Sequence, residues 1–123
     1  MKRKAAVLVT LALLCVSCAT LSQKHEEAYK TLAVMAESYD TAMKIVASAY
    51  NRGLISNEER EQITNAARVF WSAFHQARMA VEIWYATKDV NDGDRAIAVM
   101  NEAVKRYTEL MVYVEPLLRR VQQ

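Results

Sequence analysis

Few residues in this chain could do chemistry, and their spacing argues against most reactions. His25-Glu26-Glu27-Ala28-Tyr29 begins as a zinc-binding H-E-x-x-H helix would, but Tyr29 stands where the second imidazole must be. His75 has Ser72 three residues before it, so the E-x-x-H pair of di-iron bundles is absent. Serines 17, 22, 38, 48, 56 and 72 include no G-x-S-x-G elbow, and two glycines in 123 residues leave no glycine-rich loop to cradle a phosphate. Asp89-Val90-Asn91-Asp92-Gly93-Asp94 has the composition of a calcium loop. Setting Gly93 at that loop's glycine puts Lys88 at the first ligand position and Val90 at the third, so the pattern fails. The stretch reads as a turn, with Asn91 or Asp92 capping the helix that follows. Paired carboxylates fall on solvated helix faces, whereas catalysis needs groups converging in a cleft. No catalytic residue, metal site or cofactor is assigned, and the chain is not read as an enzyme.

The two cysteines, Cys15 and Cys18, spell C-x-x-C, but they end a segment of another kind. Lys2, Arg3 and Lys4 open the chain, Ala5 to Val16 is apolar apart from Thr10, and Val16-Ser17-Cys18 closes it. Basic, then apolar, then small residues at a cut is the order of an export signal. The apolar block is too short to span a hydrocarbon core, which takes about 20 helical residues. The last residues of the segment resemble the lipobox of bacterial lipoprotein precursors, with Ser17 in the small position, Val16 in the tolerant one and Cys18 as the invariant cysteine. Cys15 stands where that family usually carries leucine. The resemblance covers residues 1–18 only and implies cleavage after Ser17, lipid on Cys18 and attachment to a membrane of the cell envelope. Ala19, rather than aspartate, after the cysteine resembles the outer-membrane sorting pattern of the family, for a source that has an outer membrane. Cleavage would separate the two thiols and leave no free cysteine in the mature chain.

Without residues 1–17 the chain keeps 106 residues, enough for one domain with its own core. The formal charge of +2 belongs to the leading segment: without Lys2, Arg3 and Lys4 there are 13 basic residues against 14 acidic. A body so close to neutral carries no electrostatic footprint for nucleic acid.

Two glycines and one proline leave few places to turn, and good helix formers are plentiful. The spacing predicts an all-α, up-down-up bundle of three long helices over about 21–51, 57–88 and 92–121, after a tether of residues 18–20. In the first, Leu21, His25, Ala28, Leu32, Met35, Tyr39, Ala42, Val46 and Ala49 alternate by four and three, the seam of a helix packed along a partner. Gly53 should end it. Ser56 and Glu59 make a capping box for the second, whose seam is Ile63, Ala67, Phe70, Phe74, Ala77, Val81 and Trp84, widened by Trp71, Arg78 and Tyr85. The third places Ile97, Met100, Val104, Tyr107, Met111, Val114, Leu118 and Val121 inward, with a kink or an end near Glu115 because Pro116 cannot donate to Val112.

Opposite the core side of the second helix lie Val69, Ser72, Gln76, Met79, Ile83 and Ala86, uncharged and again spaced by three and four. This is the expected seam for another helix, either an envelope protein or a copy of this chain. Val112 and Tyr113 on the outer side of the third helix are read as part of a similar patch. Together these features predict a lipid-tethered, non-enzymatic interaction or scaffold module of the cell envelope. The alternative is an envelope carrier holding a small apolar ligand or haem among Phe70, Trp71, Phe74 and Trp84, with methionine and histidine available to a haem iron. Methionines at heptad positions serve more often as core filler.

Overall fold

The computed structural model describes residues 21–122, with side chains from His25 onward. The expected signal segment, Cys18 and the expected 18–20 tether lie outside the described residues. Three helices follow one another: α1 (Leu21–Asn51), α2 (Asn57–Thr87) and α3 (Val90–Gln122). Each packs against the other two, α2 and α3 most extensively. Their directions follow from which ends meet. Tyr39 lies against Phe70 and His25 against Trp84, so α1 and α2 run antiparallel. Phe70 meets Tyr107 and Arg120 reaches Glu59, so α2 and α3 do as well. The architecture is the expected up-down-up three-helix bundle.

The helix ends are set by local chemistry. Gly53 takes φ +70°, Leu54 N–H donates to Ala49 C=O at 2.8 Å and Gly53 N–H to Tyr50 C=O at 3.0 Å, a Schellman stop for α1. Ser56 Oγ accepts from Glu59 N–H at 3.1 Å, and the Glu59 carboxylate accepts from Ser56 N–H at 3.3 Å, completing the capping box. The other face of that carboxylate accepts from Arg120 at 3.0 Å, and Arg120 also donates to Leu54 C=O. This end of the bundle is therefore laced from the α1–α2 turn to the tail of α3. These bonds, the Ser56 N–H first and Arg120 next, hold the Glu59 carboxyl below the usual carboxylate range.

The second connection is shorter than the sequence suggests. Lys88 adopts the left-handed conformation and α3 begins at Val90. The cap is Asp89 rather than Asn91 or Asp92: its Oδ1 accepts from Asn91 N–H at 2.8 Å and from Asp92 N–H at 3.4 Å. Gly93, read from the sequence as a turn residue, is buried inside α3. A methyl group there would stand 2.7 Å from Trp84 Nε1, so this glycine serves close packing against the indole.

The core bears out the seams of α1 and α2 and turns that of α3. From His25 to Ala49 every seam position of α1 is buried or half-buried, and all seven of α2 are buried. The widening of the α2 stripe goes the other way. Trp71, Arg78 and Tyr85 are exposed, while Ala73 and Ala80 are buried and Ala66 is half-buried. Small side chains on that flank let α3 come close, whereas the opposite flank borders α1, which shares the least contact with α2. On α3, Gly93, Ala96, Met100, Ala103, Tyr107, Leu110, Val114 and Leu117 are buried. Ile97, Val104, Met111 and Leu118 are only half-buried, so half of the expected seam sits one position off. The helix also continues past Pro116 to Gln122. Val112, whose carbonyl loses its donor there, is 65% exposed.

Candidate interaction face

The six residues of the expected α2 seam share one helix face, and all six are exposed. Met79 is 62% exposed, Ile83 51% and Val69 46%, so three large apolar side chains stand in water along two turns on either side of Gln76. Ser72 and Gln76 bridge the middle, with Gln76 Nε2 donating to Ser72 Oγ at 3.5 Å. Capping at Ser56 and the burial of Phe70, Phe74, Val81 and Trp84 fix the rotation of α2, which places this stripe outward.

Two separate depressions lie between the stripe and α3. In one, Gln76, Met79, Ala80 and Ile83 face Asp92, Arg95 and Val99. In the other, Asn65, Ala66 and Val69 face Arg106, Glu109, Val112 and Tyr113. Val112 and Tyr113 are exposed on this side of α3. The α3 wall as a whole is missed by a search for apolar spacing. Asp92, Arg95, Val99, Glu102, Arg106, Glu109 and Tyr113 do recur by three and four, but most are charged. Arg106 donates to Glu102 at 2.9 Å and to Glu109 at 3.0 Å, and the bond to Glu109 leads the causes that raise its pKa. The depressions therefore lie between an apolar wall and a charged one.

The other flank of the stripe carries Arg68, His75 and Glu82, seven apart and all exposed. Glu82 accepts from Arg78 at 3.3 Å along the helix surface. His75 lies edge-on to Trp71 at 4.9 Å between ring centres.

The residues tested for chemistry do not converge. His25 and His75 are separated along the bundle: His25 packs on Trp84 with ring centres 3.9 Å apart, while His75 sits beside Trp71. Among the described residues His25 Nε2 and Trp84 Nε1 are buried without a hydrogen-bond partner. Of the four aromatics that would hold a ligand, Phe70, Phe74 and Trp84 are buried in the core and Trp71 is on the surface. Phe70 packs against Tyr39, Phe74 and Tyr107, and Phe74 stacks on Trp71 at 5.3 Å. Tyr29, near the start of α1, has its pKa raised, first by partial burial and then by Glu82 and Tyr85. No described helix is long and apolar enough to cross a membrane. Comparison of the chain with protein-family models, with curated proteins and with solved structures returned no match in any of the three.

Proposed function

We propose that this chain is a small lipoprotein of the bacterial cell envelope, held to its membrane by lipid on Cys18, whose bundle displays the outer face of α2 to a protein partner. The observation that carries the reading is the exposure of Val69, Met79 and Ile83 on one stripe, with Val112 and Tyr113 across a depression from Val69. Apolar residues scattered singly on a surface are ordinary. Here Met79 and Ile83 line one depression against α3, and Val69, Val112 and Tyr113 line another, the clustering expected of a contact surface.

The tether suits that work. Only Ala19 and Thr20 separate Cys18 from Leu21, the first residue of α1, so lipid on Cys18 would keep the bundle at the membrane surface and confine its search for partners to the envelope. An outer-membrane address follows for a source that has one. The basic residues outside the leading segment are matched by acidic ones, and nucleic acid is not a partner in this reading.

Metabolic lipid labelling followed by crosslinking in intact membranes tests the proposal. The wild type should carry label and yield a crosslinked partner, while Cys18→Ser should lose the label, retain the uncut precursor and lose the partner. Equal labelling of Cys18→Ser would overturn the anchor, and equal recovery of the partner would show that tethering plays no part.

A further inference from the structure

We infer that the partner seated on the outer face of α2 is a second copy of this chain, lying antiparallel across it; the inference rests on the displayed-face reading above. An isologous contact requires a surface that complements itself under a two-fold rotation. The stripe meets that requirement about Gln76. Val69 and Ile83 stand seven residues to either side of it, and Ser72 and Met79 stand four before and three after. An antiparallel two-fold through Gln76 lays Val69 of one copy on Ile83 of the other and sets the small Ser72 beside the large Met79. It also brings the two Gln76 amides together, and an amide can both donate to and accept from its own kind.

The charges select the same arrangement. Arg68, His75 and Glu82 follow one flank at heptad spacing, all exposed, with His75 at the midpoint. Antiparallel pairing puts Arg68 opposite Glu82 of the second copy, and the symmetry makes that pair twice. Glu82 already accepts from Arg78, so each contact becomes a three-membered cluster. Parallel pairing would put the two copies of this flank on opposite sides of the contact and leave both Arg68–Glu82 pairs unmade. On the other flank Ala73 and Ala80 are buried, and the contact is bordered there by Asp92, Arg95, Arg106 and Glu109 of α3. The same rotation lays the Val69, Val112 and Tyr113 depression of one copy over the Met79, Ile83 and Val99 depression of the other. A 31-residue helix is about 46 Å long, so the two α1 starts lie at opposite ends of the pair. Both tethers reach one membrane when the pair lies along its surface.

Sedimentation of the full chain in detergent, for the wild type, Arg68→Glu, Glu82→Arg and the double exchange, tests the inference, with circular dichroism confirming equal helicity. The wild type should dimerise. Each single exchange turns both cross-copy pairs into like charges and should weaken the dimer about tenfold or more. The double exchange restores opposite pairs and should bring association back to within about threefold. A monomeric wild type, singles without effect, or a double as weak as the singles would overturn the antiparallel copy. If the wild type is monomeric and Met79→Glu/Ile83→Glu still removes a different protein crosslinked in membranes, this inference falls and the displayed face stands. If that variant alters neither self-association nor crosslinking, both fall.

Discussion

Helix α2 carries two apolar stripes with the same alternation of three and four, and they meet opposite fates. The inner one, from Ile63 through Phe70, Phe74, Ala77 and Val81 to Trp84, is buried along its whole length. The outer one, from Val69 to Ala86, is exposed along its whole length. Periodicity alone therefore says that a face can be covered and leaves open what covers it. Composition separates the two. The inner stripe combines the rings of Phe70, Phe74 and Trp84 with the small Ala67 and Ala77, and Phe70 packs against Tyr39 and Tyr107 of the neighbouring helices. The outer stripe sets isolated aliphatic side chains among Ser72, Gln76 and Ala86, a mixture that stays soluble in the absence of a partner.

Substitutions on the two sides should separate accordingly. The largest effect is expected at Phe74, which is buried between Phe70 and Trp71. Phe74→Ala should cost about 3–5 kcal/mol in chemical denaturation. A loss below about 0.5 kcal/mol, the size usual for surface sites, would mean that the rotation assigned to α2 is wrong. Gly93→Ala comes next. The added methyl would meet the Trp84 indole at 2.7 and 2.8 Å, and Trp84 is too tightly held to move aside. Overpacking of this kind costs about 1–3 kcal/mol. Helix propensity returns up to about 1 kcal/mol. A lower melting temperature with a perturbed tryptophan fluorescence maximum is the expected signature, and a stabilised variant would show that the inner face has slack.

The smallest of the three concerns the cap that sets the rotation of both stripes. Ser56→Ala should cost about 1 kcal/mol, measured by thermal unfolding at neutral pH. Glu59, the other half of the box, has its pKa lowered in the folded chain by the Ser56 N–H and Arg120. Its contribution is present above the ordinary carboxylate range and is lost as pH falls through the lowered folded value. Glu59→Gln should therefore flatten the acid limb of stability against pH. An unchanged acid limb would remove Glu59 from the account of that end.

Residue types make the fold legible where local chemistry is strong. Gly53 and the Ser56–Glu59 box put the end of α1 and the start of α2 where they are found, because left-handed glycine and a reciprocal cap act within a few residues. The α3 register is harder to read. Ranking by apolar size favours Ile97, Val104, Met111 and Leu118, yet the helix turns Ala96, Ala103, Leu110 and Leu117 fully inward. Ala96 and Ala103 are small and leave room for the α2 rings, while Leu110 and Leu117 fill the core, a division set by the partner helix and invisible in α3 alone. The same holds for Gly93, whose reason is Trp84, and for Ala73 and Ala80, whose reason is α3. Pro116 does not end the helix, the second of the two outcomes its missing N–H allowed: α3 runs on to Gln122. The outer stripe itself was legible, since its spacing survives in any rotation that buries Phe70 and Phe74. The charged α3 wall beside it was not, because charge at helical spacing reads as ordinary solvated surface.

The contrast between the two faces is tested most directly by Met79→Glu/Ile83→Glu in the full chain, with thermal melting and association measured on the same samples. These residues are one turn apart and exposed, so the isolated fold should keep its helicity and its stability to within about 0.5 kcal/mol. Glutamate in a covered contact cannot shed its water without cost, so self-association and partner recovery from membranes should be lost. Unchanged assembly and recovery would return the stripe to ordinary surface. Collapse of the monomer would contradict the account outright, because it would make the outer stripe part of the core.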